Sequence, residues 1–213
     1  MHILLITGTE PQAGQQQLTL ALNAYGQRWQ DMARSSPGSP SVTPEATPPQ
    51  PRGSASRLQF IKLEVPVERD RLWQQLHTSD QDPDHKPRFM ILVADVGLGD
   101  VVAPETTVAD LAWDWRIPAV VVVPVRPGAV GQAIAHVALA RQSRCHVKGL
   151  VFGCATDAAW EQRETLADRL TVQRLTQTPV LGYLPPPHPH TTAEQLAAIA
   201  ADLDLERLWP LFN

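Results

Sequence analysis

The residues with the clearest chemical potential lie just after the first apolar run. Thr7, Gly8, Thr9, Glu10, Pro11, Gln12, Ala13, Gly14, Gln15 and Gln16 form a polar stretch with two glycines. A loop of the pattern G-x-x-x-x-G-K-[ST] cradles phosphates with backbone N–H groups. Its lysine neutralises the outer phosphates and its hydroxyl holds Mg²⁺. Here the frame from Gly8 to Gly14 spans seven residues, one more than the common frame, and Gln15 and Gln16 stand where the lysine and the hydroxyl belong. Glutamine is neutral and shorter than lysine. Its carbonyl is a bulky substitute for a hydroxyl on a metal. The N-terminus of a following helix still favours anions. The local sequence therefore leaves two readings open: weak phosphate binding, or an ordinary strand-to-helix turn without a ligand.

The surrounding pattern says what positions this loop. The run His2 to Thr7 is apolar without alternation, which suits a strand buried on both faces. Further strands are predicted at 59–65, 90–95, 119–125, 150–152 and 180–184. Leu18, Leu22, Tyr25, Trp29 and Met32 recur at steps of four and three, so one helix face should carry them. Other helices are expected over 107–115, 128–142 and from Asp157 to about Leu170, and a last one opened by Thr191 and Glu194 as a capping box. Strands alternating with helices give the α/β class, a doubly wound parallel sheet covered on both faces. Ligands in such sheets bind beyond the C-terminal strand ends. That rule selects residues 8–16, 62–70, 95–100, 126–128, 153–157 and 185–190, with Asp95 and Arg126 among them. Trp113 and Trp115 read as core or subunit contacts.

Residues 35–57 differ in composition, with six prolines, six serines and no aromatic residue. A segment this poor in apolar surface is expected to be a disordered insertion within a single domain spanning 1–213. The chain has 213 residues, 43% of them hydrophobic, and a net charge of −4 without a run of basic residues. That balance argues against nucleic acid as the main partner. No apolar run approaches a membrane span and no export signal is read, so a cytoplasmic location is expected. Cys145 and Cys154 lack metal or redox spacing and read as reduced thiols. His188 and His190 sit in a proline-rich loop outside any helix-borne metal motif.

Five stretches in order carry a resemblance. They are ITGTEPQAG, TVADLAWDW, IPAVVVVPVRPGAVGQAIAHVALAR, GLVFGCA and TPVLGYLP. Together they resemble dethiobiotin synthetase from His2 to about Pro210, apart from the Pro/Ser segment. The resemblance implies a P-loop-type fold, a homodimer, and ATP and Mg²⁺ as cofactors. It also implies ureido ring closure on 7,8-diaminononanoate with CO₂. ATP phosphorylates a carbamate, and the second amine displaces phosphate. Residue by residue, Gly8, Thr9, Glu10 and Gly14 match the family loop, whereas Gln15 and Gln16 depart from it. Lys62 falls on the carbamate-contacting lysine, without the hydroxyl residue that normally trails it. Glu10, Asp70 and Asp95 fall at or near acidic metal positions. Gly153 takes the place of an adenine-reading asparagine, and Pro185 lies in the segment near the base. Arg126 is the basic group placed to stand in for the missing lysine.

Three functions follow from these residues. The first is a weakened synthetase. The second is a catalytically silent relative that binds a true synthetase subunit or another protein partner. The third is a cleft that binds another small anion without turnover.

Overall fold

The computed structural model describes residues 2–35, 58–78 and 89–208. The strands are β1 (His2–Gly8), β2 (Leu58–Lys62), β3 (Phe89–Gly97), β4 (Val101–Ala103), β5 (Thr106–Thr107), β6 (Ala119–Pro124), β7 (Val147–Gly153) and β8 (Val180–Leu184). The helices are α1 (Gln15–Ser35), α2 (Arg69–Thr78), α3 (Val108–Asp114), α4 (Ala129–Gln142), α5 (Asp157–Glu161), α6 (Arg163–Leu166), α7 (Arg169–Thr176) and α8 (Ala193–Ala201). A 3-10 turn follows at Leu205–Leu208.

Six strands form one parallel sheet in the order β2-β3-β1-β6-β7-β8, and β4 and β5 make a small antiparallel pair. The unalternating apolar strands are buried on both sides, as their sequences require. Successive residues of β1 serve opposite layers. Leu5 packs with Leu72, Leu111, Ala133 and Val172 from α2, α3, α4 and α7. Leu4 and Ile6 pack with Leu18, Leu22 and Ala200 from α1 and α8. The β1 strand is central, with β3 on one side and β6 on the other, so the loop leaving it opens at the middle of the C-terminal sheet edge.

Several local expectations shift. Leu18 and Leu22 are buried, but Trp29 and Met32 are 55% and 51% exposed on the same helix. The helix outruns the sheet, so only its first turns reach the core. The segment expected as one helix after Asp157 is three short helices, the first and third with side-chain caps. Thr156 caps α5 and Asp168 caps α7. The last capping box is Thr192 with Gln195, one residue later than expected. Thr191 instead donates its hydroxyl hydrogen to the His188 carbonyl, 2.8 Å away. The segment 36–57, the bulk of the Pro/Ser stretch, lies outside the described residues. Among the described residues, no helix is long and apolar enough to cross a membrane.

Candidate functional site

The loop between β1 and α1 is fixed by backbone bonds to both neighbouring strands. The Thr9 N–H donates to the Val122 carbonyl (2.9 Å), and the Leu98 N–H donates to the Gly8 carbonyl (2.8 Å). The Thr7 hydroxyl donates to the Val96 carbonyl (2.8 Å). Gly14 has φ +116°, a left-handed value that glycine takes without strain, and its carbonyl accepts the Leu18 N–H at the start of α1.

Three consecutive glutamines then close the site over itself. The Gln15 side chain is fully buried and turns back into the loop, where Nε2 donates to the Glu10 carbonyl at 2.9 Å. That amide crowds Gly8: a Cβ on Gly8 would lie 2.3 Å from Gln15 Nε2 and 2.4 Å from the Glu10 carbonyl oxygen. Gln16 donates from Nε2 to Asp95 Oδ2 at 2.9 Å. Gln17 donates from Nε2 to the Pro185 carbonyl at 2.6 Å. In turn, the Glu10 carboxylate is ion-paired with the Arg126 guanidinium. The anionic and cationic groups nearest the loop therefore answer each other.

The structure brings Gly8, Thr9, Glu10, Gly14, Gln15, Gln16, Asp95, Arg126 and Pro185 together around one loop. Gly153 joins them, since a Cβ there would fall 2.3 Å from the Ala13 carbonyl oxygen. Lys62 ends the outermost strand β2 and is exposed. It borders a shallow depression with Glu64, Glu68 and Arg71 that shares no lining residue with the loop cleft. Asp70 is exposed in the first turn of α2 and lines neither hollow.

Beside the loop lies a cleft of about 480 Å³, a size that suits a small molecule. Gln12, Gln16 and Gln17 border it on one side, and Cys154, His188 and Leu196 on the other. Among the described residues, no Lys, Arg, Asp or Glu lines it. Burial pushes the Cys154 thiol up to about 11, partly offset by the charge of Arg163, so it is a neutral wall at physiological pH. Sequence reasoning missed Gln17 and Leu196, and it read Cys154, at a selected strand end, only as a reduced thiol. The apolar walls left no chemical signal, and Gln17 becomes informative only once Pro185 is seen against it.

These residues fit a Mg²⁺–triphosphate complex poorly. The loop offers no cation of its own, its two glutamine amides occupy the lysine and hydroxyl positions, and one of them already binds the nearest acid. No group of three or more potential metal ligands occurs among the described residues. One feature does suit a further partner. Thr9 Oγ1, Gln15 Oε1 and Asp95 Oδ1 are buried without a hydrogen-bond partner, and all three sit at this loop.

Comparison with known proteins agrees with the architecture. A family profile described as an AAA domain matches residues 2–195. The ATP-dependent dethiobiotin synthetase of Gloeothece citriformis is 34% identical over 235 residues, covering 99% of this chain and 100% of that protein. This chain belongs to the dethiobiotin synthetase family. The ATP-dependent dethiobiotin synthetase of Crocosphaera subtropica is 33% identical, with 98% and 100% coverage. Among solved structures, the MinC:MinD cell division protein complex of Aquifex aeolicus aligns over 97% of this chain and 94% of that one. Its TM-score is 0.53 at 9% identity, a likeness that shows the fold alone. Within the dethiobiotin synthetase family this chain is thus a member whose loop carries Gln15-Gln16-Gln17.

Proposed function

We propose that this protein is a dethiobiotin synthetase-like member of the biotin pathway with weakened or silent phosphoryl transfer. The observation that carries the reading is the buried Gln15 amide, hydrogen-bonded to Glu10 inside its own loop. Phosphoryl transfer by this family depends on positioning and on neutralising phosphoryl charge. A neutral amide supplies neither a full positive charge nor an open seat for phosphate. Among the described residues, Arg126 is the cation paired into the loop, through Glu10. ATP and Mg²⁺ are implied by the relatives, and any residual use of them here falls to Arg126 and Asp95.

The test is dethiobiotin formation from 7,8-diaminononanoate, CO₂ and Mg·ATP, comparing wild type with Gln15→Lys/Gln16→Thr. The expected outcome is a rate about 10²–10³-fold higher in the double variant. Equal rates at a level typical of an active synthetase would refute the reading.

A second reading is a non-catalytic binding subunit. The half-exposed Trp29 and Met32 on α1 favour it, since exposed large apolar residues on one helix face suit a protein contact. The resemblance also implies a homodimer. Sedimentation of the purified protein, alone and with an active synthetase, checks both: a monomer in each case removes both.

A further inference from the structure

At the opposite end of the sheet from the glycine loop, a second cleft of about 300 Å³ opens at the N-terminal ends of β6 and β7. Arg116, Arg144, His146 and Lys148 line it together with Trp113, and Ile117 contributes to its floor. No acidic residue among the described ones lines it. None of the four basic side chains forms an ion pair with a described residue. Asp114, the nearest carboxylate in sequence, is paired with Arg69 instead. In a chain of net charge −4, this is a concentrated positive site.

The backbone makes the arrangement more pointed. The α3 helix ends with the Arg116 N–H donating to the Trp113 carbonyl (3.0 Å) and the Ile117 N–H to the Ala112 carbonyl (2.8 Å). The α4 helix ends in the same way, Arg144 to Arg141 (3.1 Å) and Cys145 to Ala140 (2.8 Å). These are twin Schellman motifs, whose left-handed residue is usually glycine. Here both left-handed positions are arginine, with φ +53° at Arg116 and +57° at Arg144. Among the described residues three other non-glycine positions take such values, but these two are the cationic ones, and both line the same cleft. Left-handed backbone retained at two cations that line one cleft points to a role for them there. The Arg144 guanidinium stands 5.7 Å from the Trp113 ring centroid, and that tryptophan is 46% exposed. Charge and an accessible aromatic face are thus presented together.

We propose that this cleft binds a small organic phosphate ester, its dianion held by Arg116, Arg144 and Lys148 and its planar or apolar part against Trp113. The volume lies near the lower limit for a small-molecule site and is too small for a nucleic-acid duplex. The site is separate from the glycine loop and does not depend on its state.

Titration calorimetry of phenyl phosphate into the full chain tests this, with inorganic phosphate as the comparison. Phenyl phosphate is expected to bind at least about tenfold tighter than inorganic phosphate. Arg116→Gly/Arg144→Gly should weaken phenyl phosphate by about tenfold or more while holding or raising Tm, because glycine relieves both left-handed positions. Lys148→Gln, where the backbone is unstrained, should weaken it as well. Trp113→Ala should erase the advantage over inorganic phosphate. Absence of binding up to about 10 mM phenyl phosphate would overturn the proposal. So would unchanged affinity in the double glycine variant, which would place the ligand elsewhere, or equal binding of the two probes.

Discussion

The Ala13 carbonyl oxygen sits 2.3 Å from the point that a Cβ on Gly153 would occupy. Gly153 at the end of β7 and the loop after β1 are therefore packed against each other, and the loop backbone occupies the space that a side chain at 153 would need. Gly153→Ala is expected to lower stability by about 1–3 kcal/mol through this overpacking. Denaturant midpoints at constant slope check it, and an unchanged midpoint would mean the loop yields freely.

Asp95 should be more stable as an amide than as an acid. One of its carboxylate oxygens accepts from Gln16, while the other is buried with no partner. The charge of this half-buried carboxylate is paired with no described cation, and an asparagine keeps the acceptor for Gln16 without that charge. Asp95→Asn is expected to raise stability by about 1 kcal/mol. A loss of stability would show that the charge at Asp95 has a partner of its own.

Thr107 is the cap of α3 in both senses. Its hydroxyl oxygen accepts the Asp110 N–H, and the Asp110 carboxylate accepts the Thr107 N–H and hydroxyl. The Thr107 hydroxyl, then its backbone N–H, hold the Asp110 carboxyl below its ordinary 3.8. A depressed acid stabilises the fold above its unfolded value, and that contribution fades as pH falls through the folded one. Thr107→Val should cost about 1 kcal/mol at neutral pH. It should also flatten the stability loss below about pH 4, which urea unfolding at several pH values will show.

Alkaline pH acts through the two thiols. Burial pushes both Cys145 and Cys154 from 9.0 up to about 11. The unfolded chain releases these protons first, so their stabilising contribution is complete below pH 9 and declines towards pH 11. Tm should fall across that interval, and Cys145→Ala/Cys154→Ala should fall less steeply from its own lower starting value.

The sheet was legible in the sequence because its strands are short, apolar and buried on both faces. The run from Ile3 to Ile6 leaves little else open, and the parallel order follows from the intervening helices. Caps were legible where one hydrogen-bonding pair dominates, as at Thr107 and Asp110. They slipped where two candidates adjoin, as at Thr191 and Thr192. The loop could be located from Gly8 and Gly14, and its neutral residue Gln15 could be read directly. What Gln15, Gln16 and Gln17 grip instead could not be read, because Glu10, Asp95 and Pro185 come from three separate parts of the chain. The basic cleft was hidden for the same reason. Arg116, Arg144 and Lys148 form no run in sequence and meet only where α3, α4 and β7 adjoin.

The most direct test of the closed loop is isothermal titration of Mg·ATP into wild type and into Gln15→Lys/Gln16→Thr. The double variant should bind at least about tenfold tighter, a gain of about 1.4 kcal/mol, with wild type weaker than about 1 mM. Micromolar binding by wild type, unchanged in the double variant, would contradict the account, because a loop filled by the Gln15 amide could not then be what sets nucleotide affinity.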